Sequence, residues 1–486
     1  MNTLHRPWFQ REGLALLTDF YQLTMMAGHW KEKRTHRELS FEYFFRYLPP
    51  DTGYAIAAGI EDFLHYFEHL FFTESDLDYL RSLKIFDEAF LDYLRSFEKK
   101  CSIRCVPEGT VVFPFEPVIQ VEGPILEAQL LETALLNMVN YQTLIATKAS
   151  RICLAAEGDP VMEFGLRRAH GPDGGLSASR AAYIGGCNST SNVLAGQLYG
   201  IPIAGTHAHS WVMSFPSELE AFRVFARLYP EGCILLVDTY DPVKSGIPNA
   251  IQVFLEMREQ GIPIRPAIRL DSGDLAKLSK ICYSKMQEAG LDNPLIVASN
   301  DLNEDLIADL KRQGARINSW GVGTQLVTAY EAPALPGVYK AVAMKEPEVP
   351  WAPVIKTSFN YEKATDPGRK FPVRYFNAEG YILGDMLYSE EEIPLSCGTI
   401  EGRSRKHPHL PRRLENTTRM EALLRDVFVE GKRVIPALST SEIRDYAGKQ
   451  QKSLAEEYTR LRNPERYPVL LSAAMGDLKH DLLLMH

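Results

Sequence analysis

The stretch Ile201-Pro202-Ile203-Ala204-Gly205-Thr206-His207-Ala208-His209 decides the fold, because a short apolar run ends there in a cluster of polar side chains. A short apolar run followed by glycine is typical of a buried strand. The same pattern recurs roughly every 25 to 35 residues between Pro160 and about Lys340, each time before an amphipathic helical stretch. The predicted strands are Val161–Phe164, Ile201–Ala204, Cys233–Val237, Ile264–Ile268, Pro294–Ala298 and Ile317–Trp320.

Alternating strands and helices require parallel strands with right-handed crossovers, as in a barrel or a doubly wound sheet. Polar residues at the end of every strand favour the barrel, because a barrel gathers all strand ends at one mouth. We therefore predict an α/β barrel over residues 156–340. The strand-end residues are Arg167 and Arg168; Thr206, His207 and His209; Asp238 and Asp241; Arg269, Asp271 and Asp274; Ser299, Asn300 and Asp301; and Gly321, Gly323 and Thr324.

Outside this region the pattern changes. Residues 1–125 alternate helical stretches with short strands such as Leu39–Phe45, which predicts an α+β N-terminal domain. A helical segment over residues 126–155 is expected to connect this domain to the barrel. Residues 341–486 include the strand-like run Phe371–Phe376 and a final helical region, and we expect this C-terminal segment to return to the N-terminal domain and pack on it.

Composition narrows the class of protein. The 486 residues are 45% hydrophobic and 24% charged, which is typical of globular proteins. The formal net charge of -9 argues against nucleic acid as a partner, so a phosphorylated ligand must meet a local cluster of cations or a metal. The N-terminus Met1–Trp8 lacks a signal peptide, and no apolar run approaches the roughly 20 residues of a membrane span. Scattered cysteines suit the reducing cytoplasm.

Two motifs have the chemistry of anion sites. Arg167 and Arg168 adjoin the glycine-rich stretch Gly171–Gly175 before a helix, where guanidinium groups and helix N-terminal amides favour phosphate or carboxylate. Paired surface arginines are the alternative. Gly321-Val322-Gly323-Thr324 offers small residues that let backbone amides approach a phosphate, and a tight turn is the alternative there.

Carboxylates and histidines supply further candidates, each with a structural alternative. Asp271-Ser272-Gly273-Asp274 could contact ribose hydroxyls or hold Mg²⁺ through water, or form a turn and helix N-cap. His207 and His209 could chelate a metal or act as structural donors. His65-Tyr66-Phe67-Glu68-His69 matches the H-x-x-E-H pattern of some zinc proteases, but its apolar flanks favour packing or surface histidines. We assign no protein-held metal centre.

Five motifs occur in register along the chain. They are Thr18-Asp19-Phe20-Tyr21-Gln22-Leu23-Thr24-Met25-Met26, Glu163-Phe164-Gly165-Leu166-Arg167-Arg168, Gly205-Thr206-His207-Ala208-His209-Ser210, Arg269-Leu270-Asp271-Ser272-Gly273-Asp274-Leu275 and Gly321-Val322-Gly323-Thr324. From about residue 16 to 370 they resemble the nicotinate phosphoribosyltransferase family. The resemblance implies a type II phosphoribosyltransferase: an irregular α/β barrel joined to an α+β domain, working as a homodimer with sites near the subunit interface.

The implied reaction joins nicotinate to phosphoribosyl pyrophosphate with coupled ATP hydrolysis, in NAD biosynthesis. By resemblance His209 is the histidine phosphorylated by ATP. Phe164 and Tyr21, the latter reaching in from the partner subunit, would sandwich the pyridine ring. His207 stands where the family more often has an apolar residue. The resemblance further implies that Thr206 and Arg269 contact nicotinate, that Arg167 and Arg168 meet anionic groups and that Thr365 contacts phosphoribosyl pyrophosphate.

The expected chemistry agrees with these residues. Displacing pyrophosphate from an anomeric carbon passes through an oxocarbenium-like state, which needs carboxylates near the ribose and cations on the leaving group. Asp238, Asp271 and Asp274 suit the first need, and arginines with Mg²⁺ suit the second. The rival interpretations are a nicotinamide or quinolinate phosphoribosyltransferase, a non-catalytic nucleotide-binding barrel, and a metal-dependent hydrolase built on His207, His209 and the aspartates. Arg269 favours nicotinate, because nicotinamide would call for a carboxylate acceptor near the ring.

Overall fold

The computed structural model describes residues 13–358, 363–405 and 410–485. The prediction made for the N-terminal stretch Met1–Trp8 falls on residues outside these described ranges. The chain divides into two compact units, Met1–Leu144 with Glu331–His486 and Ile145–Tyr330. Within the described ranges, no helix is both long and apolar enough to cross a membrane.

Strands and helices alternate along much of the chain, which confirms the mixed α/β class. The strands are β1 Gly13–Leu14, β2 Glu38–Phe45, β3 Ala55–Ile56, β4 Leu70–Phe71, β5 Ser102–Cys105, β6 Val111–Val112, β7 Ile119–Pro124, β8 Val161–Glu163, β9 Ser189–Thr190, β10 Leu235–Leu236, β11 Ala267–Leu270, β12 Leu295–Ala298, β13 Ser319–Val322, β14 Gly337–Lys345, β15 Ala352–Pro353, β16 Lys370–Phe376, β17 Ile382–Ser389, β18 Ile400–Ser404, β19 Pro411–Leu414, β20 Arg419–Ala422, β21 Arg425–Val429, β22 Lys432–Arg433 and β23 Val469–Leu471. The helices are α1 Phe20–Lys31, α2 Ile60–Glu68, α3 Glu74–Ser82, α4 Glu88–Arg95, α5 Ile125–Leu130, α6 Glu132–Ala155, α7 Gly171–Ile184, α8 Val193–Tyr199, α9 His209–Met213, α10 Glu218–Leu228, α11 Ile247–Glu259, α12 Leu275–Glu288, α13 Glu304–Arg312, α14 Thr324–Val327, α15 Thr440–Lys452, α16 Glu456–Thr459 and α17 Ala473–Met485.

The unit formed by the two ends of the chain is built on two larger sheets. Strands β15-β14-β2-β7-β5-β21-β22 form an antiparallel sheet of seven, in which strands from both ends of the chain pair side by side. Strands β19-β18-β23-β17-β16-β20 form the second sheet, and its buried core includes Val373, Tyr375 and Met386. The charged Arg374 is also fully buried there, and its guanidinium donates to both carboxylate oxygens of Asp385.

The unit over Ile145–Tyr330 contains a parallel sheet in the order β10-β11-β12-β13-β8-β9. Both faces of such a sheet are covered, so most of its strand residues are apolar, and Ile268, Ile296, Val297 and Trp320 are buried. Five of the predicted strands are present, with shifted ends. β11 begins at Ala267 rather than three residues earlier. Proline at 266 cannot donate a ladder hydrogen bond, so pairing starts after it.

The predicted strand Ile201–Ala204 is wrong as a full strand. It forms one parallel bridge, between Thr190 and Ile203, flanked by the bonds Thr190 N–H to Pro202 O and Ala204 N–H to Thr190 O, both 3.0 Å. Pro202 lacks an N–H, so the ladder cannot extend through it. The bridge partner belongs to β9, a strand of two residues that is too short to show a hydrophobic period in the sequence.

The two ends of this parallel sheet meet through a side chain. Segment 201–204 lies against β9 at one end of the strand order, and β10 is the other end. The ladder of described strands stays open between them, but the Leu236 N–H of β10 donates to His207 Nε2 at 3.2 Å. The result is an irregular barrel in which an imidazole, rather than a backbone carbonyl, takes the edge strand's hydrogen bond.

A buried ion cluster fastens α6 to α13 within this unit. The Glu304 carboxylate lies 2.6 Å from Lys148 Nζ and 2.9 Å from Arg151 Nε, and all three side chains are at least nine-tenths buried. Buried charges of this kind are tolerated only as compensated sets, because desolvation of each ion is costly. The cluster therefore fixes the start of α13.

We predict that Glu304→Gln lowers the free energy of unfolding by about 3 kcal/mol, because it preserves shape but leaves two buried cations without their carboxylate. The thermal unfolding midpoint measured by circular dichroism should fall accordingly. Glu288→Gln, an exposed position on α12, is the matched control and should change the stability by less than about 0.5 kcal/mol. Equal midpoints for the two variants would show that the cluster contributes nothing.

Candidate active site

A cavity of about 570 Å³ opens at the carboxyl ends of the parallel strands. This is where a barrel of parallel strands gathers its polar residues. Both polar and apolar side chains line it, so the cavity can hold a flat ring and charged groups together. Its lining residues are Phe164, Leu166, Arg167, Arg168, Ser191, Gly205, Thr206, His207, Ala208, Arg269, Asp271, Ser299, Asn300, Asp301, Gly321, Gly323 and Thr324.

Arg269 is the most buried of the three arginines that line the cavity. It lies on β11, and its Nη1 donates to Thr206 Oγ1 at 2.5 Å. Its Nη2 lies 3.6 Å from Asp271 Oδ1, and its buried Nε has no hydrogen-bond partner among the described residues. Burial lowers the pKa of the guanidinium, and the carboxylates of Asp271 and Asp238 oppose that shift. A desolvated guanidinium with a spare donor favours an anionic ligand.

His209 begins α9 at the rim of this group. Its Nδ1 lies 3.1 Å from Thr239 Oγ1, and its Nε2 lies 3.8 Å from Asp271 Oδ2. The side chain is 39% exposed, so one ring nitrogen can be reached by a ligand. A histidine oriented by a hydroxyl and facing a carboxylate is suited to take up or pass on a charged group.

Asp238 and Asp271 form a carboxylate pair beside Arg269. Asp238 is buried, and its Oδ2 accepts from the Asp271 N–H at 2.8 Å and from Ser272 Oγ at 2.7 Å. Its Oδ1 is buried without a hydrogen-bond partner in the described part of the chain. Ser299 Oγ donates to Asp271 Oδ1. Two hard oxygen ligands, one of them unpartnered, fit a Mg²⁺ ion.

His207 does not share the surroundings of His209. Its ring is buried and packs edge-on against Phe225 at a centroid distance of 4.8 Å. Nε2 accepts the Leu236 N–H, and Nδ1 lies 3.4 Å from Ala208 O. The proton therefore sits on Nδ1, and Nε2 is not free to bind a metal. The predicted alternative of a His207 and His209 chelate is not assembled.

Phe164 forms an aromatic wall of the cavity, and Gly321 makes room for it. A Cβ on Gly321 would lie 2.7 Å from the nearest atom of the Phe164 ring. The Phe164 N–H donates to Val322 O at 2.8 Å, which places the ring directly over β13. Glycine is thus required at position 321, because the Phe164 ring lies too close to the backbone there for a side chain. Gly323 is tight as well, since a Cβ there would lie 3.2 Å from Phe164 O.

A buried carboxylate holds the loops behind Phe164. Glu163 accepts from Ser179 Oγ at 2.9 Å, from Thr190 Oγ1 at 2.6 Å and from the Gly165 N–H. These donors belong to α7, to β9 and to the chain after β8. Glu163 thus joins three segments below the cavity floor, as a buried charge must be paired.

The remaining predicted site residues lie in different settings. Arg167 and Arg168 are exposed in a 3₁₀ turn over 166–168 and line the cavity just before α7. Asp274 caps α12 by accepting the Lys277 N–H at 2.9 Å, as in the helix N-cap that was the predicted alternative to a substrate contact. In the other unit, Tyr21 is 47% exposed near the start of α1, and Thr365 is buried, with its Oγ1 accepting the Lys356 N–H at 3.0 Å.

Sequence analysis missed several contributors. Thr239 orients His209. It directly follows Asp238, so its position just after a strand could have marked it as a site residue. Ser191 follows β9, which the sequence did not reveal. Asn300, which was predicted at a strand end, lines the cavity with a φ of 121°, a strained conformation outside glycine that often marks functional loops. Glu163 could have been suspected as a charged residue at a buried strand position.

The H-x-x-E-H motif lies in the other unit, at the end of α2. Ligand atoms of His65, Glu68 and His69 lie within 4.8 Å of one another, and all three residues are exposed. The Glu68 carboxylate also lies 3.9 Å from Arg433 Nη1. The motif therefore takes no part in the cavity described above.

Known proteins match this chain over nearly its whole length. The model for the nicotinate phosphoribosyltransferase N-terminal domain matches residues 16–140, and the model for the C-terminal domain matches residues 369–479. A Bacillus subtilis (strain 168) protein named nicotinate phosphoribosyltransferase is 43% identical over 96% of this chain and 94% of its own. The human protein of that name is 36% identical, covering 96% of each chain.

Solved structures agree on the fold. The crystal structure of human nicotinic acid phosphoribosyltransferase has a TM-score of 0.82 at 34% identity, covering 96% of this chain and 99% of that one. The crystal structure of nicotinate-nucleotide pyrophosphorylase from Pyrococcus furiosus has a TM-score of 0.70 at 22% identity, covering 90% and 95%. The chain thus has the α/β fold that these two structures share. More particularly, it belongs to the nicotinate phosphoribosyltransferase family.

The buried imidazole of His207 makes stability depend on pH. Desolvation lowers its pKa to about 4; the hydrogen bond to Ala208 O opposes this shift, and the charge of Arg269 adds to it. The folded state therefore binds fewer protons than the unfolded state, whose histidine has a pKa near 6.5. The contribution of His207 to the free energy of unfolding is fully present above about pH 6.5. It falls by about 3 kcal/mol in all as the pH drops toward 4.

We predict that His207→Gln, which cannot be protonated, flattens this dependence. Thermal unfolding midpoints of the wild type and of the variant are measured at pH 7 and pH 5. The wild type should lose more stability than the variant over that interval. The same loss in both proteins would mean that His207 is not held neutral in the folded state.

Proposed function

We propose that this chain transfers the phosphoribosyl group of phosphoribosyl pyrophosphate to nicotinate, forming nicotinate mononucleotide and pyrophosphate for NAD biosynthesis. The observation that carries the proposal is the pair Arg269 and Thr206 at the cavity floor, with the spare Arg269 Nε donor. Family membership makes this the activity to test first. A non-catalytic nucleotide-binding protein would not need the carboxylate pair and His209 beside this cation.

Nicotinate fits the floor of the cavity by charge and shape. Its carboxylate would accept from Arg269 and from the Thr206 hydroxyl, and its ring would lie against Phe164. Nicotinamide carries no charge, so it would leave the desolvated guanidinium without an anion, and that penalty is large in a buried site. The same cation therefore selects against nicotinamide.

Phosphoribosyl pyrophosphate fits the upper part of the cavity. Arg167 and Arg168 supply exposed cations for its anionic groups, and Gly321, Gly323 and Thr324 let phosphate oxygens approach the backbone. Asp238 and Asp271 suit the ribose hydroxyls or Mg²⁺. When bound to these carboxylates, Mg²⁺ would neutralise charge on the pyrophosphate leaving group. The predicted contacts of Asp274 and Thr365 with this substrate stay part of the proposal.

In the chemical step the pyridine nitrogen of nicotinate forms a bond to the anomeric carbon while the bond from that carbon to pyrophosphate breaks. Positive charge develops on the ribose ring, and the carboxylates of Asp238 and Asp271 stabilise it. Arg167 and Arg168 bear the charge of the departing pyrophosphate. No side chain needs to attack carbon, so catalysis rests on positioning and electrostatics.

His209 is assigned to the coupling with ATP. Its ring accepts the γ-phosphoryl group of ATP, releasing ADP, and later hydrolysis of the phosphohistidine returns phosphate. The hydrogen bond to Thr239 and the nearby Asp271 orient the ring for this transfer. A phosphohistidine between the aspartates and the arginines changes the charge of the cavity, and through it the affinity for substrate.

The active form is proposed to be a cytoplasmic homodimer in which Tyr21 of one subunit covers the pyridine site of the other. Large apolar side chains near the start of α1 are exposed, with Phe20 at 54%, Tyr21 at 47% and Met25 at 40%. Clustered exposed apolar groups mark interaction surfaces. Glu132 Oε2 lies 3.4 Å from the Tyr21 hydroxyl and holds the ring outward.

The substrate test offers nicotinate, nicotinamide or quinolinate with phosphoribosyl pyrophosphate and Mg²⁺, while mononucleotide and pyrophosphate are measured. We expect turnover with nicotinate only. Arg269→Gln should raise the KM for nicotinate by roughly ten- to a hundredfold, as loss of a charged hydrogen bond does. Arg265→Gln, exposed before the same strand, should leave KM unchanged. A preference for nicotinamide in the wild type would refute the proposed substrate.

The coupling test compares His209→Ala with His480→Ala, an exposed histidine on α17. We expect His209→Ala to keep a slow reaction that ATP does not accelerate, with ADP formation lost. The control should form ADP and mononucleotide in the ratio of the wild type. Should His209→Ala still produce both products in that ratio, the phosphohistidine lies elsewhere.

A further inference from the structure

The edge of β10 leaves a backbone donor that the sheet itself does not use. Leu235 and Leu236 pair with β11 on one side, and both are fully buried. On the other side the Leu236 N–H faces His207 Nε2 at 3.2 Å. A buried N–H without an acceptor destabilises the folded state, so this imidazole takes the place of a missing strand carbonyl.

The His207 ring is held by contacts on several sides. Phe225 and Phe222 of α10 lie at centroid distances of 4.8 and 6.0 Å, and Nδ1 faces Ala208 O. Ring position and tautomer are therefore both determined by the surroundings. An apolar side chain at this position would fill the space between the phenylalanines but would leave the Leu236 N–H without an acceptor.

We infer that His207 is a positioning residue for the proposed reaction: by bonding the Leu236 N–H it fixes segment 205–209 to β10 and so holds Thr206 and His209 in place. The inference rests on the proposed roles of Thr206 and His209. Both residues flank His207 within two positions, so movement of its backbone would displace them.

Among the described residues, three side-chain hydrogen bonds join this segment to neighbouring strands and loops, and they differ in kind. Thr206 bonds Arg269, and His209 bonds Thr239. In the proposed reaction, both of these side chains must engage ligands, so their contacts change during turnover. The bond from His207 to Leu236 involves no substrate-facing atom. This hydrogen bond therefore persists while the hydrogen bonds of Thr206 and His209 exchange partners.

The test compares His207→Phe with His207→Gln. Phenylalanine keeps an aromatic ring against Phe225 but accepts no hydrogen bond, whereas the glutamine oxygen reaches the former Nε2 position. Ile307→Ala on α13 is the control for stability alone, because it removes fully buried apolar volume in the same unit without altering segment 205–209. The measurements are kcat, the KM for nicotinate and the ratio of ADP to mononucleotide, all below the unfolding midpoint of each protein.

We expect His207→Phe to lower kcat/KM by about ten- to a hundredfold and to release ADP without matching mononucleotide. His207→Gln should stay within about threefold of the wild type, and Ile307→Ala should keep the kcat and the product ratio of the wild type. A folded His207→Phe protein with wild-type kinetics would overturn the inference. So would a His207→Gln protein as impaired as His207→Phe.

Failure of the proposed function can be distinguished from failure of the inference about His207, because the wild type is assayed alongside the variants. If the wild type makes no mononucleotide, the ¹⁵N spectrum of histidine-labelled protein decides the inference alone. At pH 5 the wild type should show a neutral histidine protonated on Nδ1 that His207→Gln lacks. Absence of that signal would refute the tie to Leu236.

Discussion

Parallel strands leave their polar ends at one edge, and closing the sheet brings the first and last of those ends together. Among the described residues no ladder joins segment 201–204 to β10, since that segment forms only a single bridge, to β9. The Leu236 N–H is satisfied by His207 instead. The cavity lies beside this junction, so the arrangement of Thr206 and His209 depends on how the barrel is closed.

The charge that the cavity presents to a ligand depends on which groups are buried there more than on the net charge of the chain. The chain is acidic, with a net charge of -9, yet the cavity presents Arg167, Arg168 and Arg269. Arg269 is held by carboxylates that do not satisfy all of its donors, and Asp238 keeps one oxygen unpartnered among the described residues. Such incompletely paired groups cost stability in the empty protein. They are the groups that an anionic substrate and a divalent cation would satisfy.

Much of the fold could be predicted from the sequence, because apolar runs and the polar residues after them follow local rules. The strands ending near Phe164, Asp238, Ser299 and Gly321 were found in this way, since each strand's own residues carry the signal. β9 and the single bridge at Ile203 could not be found, because two residues have no period and the bridge is a tertiary contact. Motif resemblance supplied the site roles, while the partner of His209, Thr239, required the structure.

The two histidines show why spacing alone was ambiguous. Residues two apart on a strand face the same side, and that geometry would favour a chelate. Here the strand has already ended, and α9 begins at His209, so the two rings diverge. His207 turns into the apolar space beside Phe225 and stays neutral, whereas His209 stays partly exposed beside Asp271. The change in backbone direction between them thus makes His207 a structural hydrogen-bond acceptor and leaves His209 able to receive phosphate. Only the tertiary structure determines where that change in direction occurs.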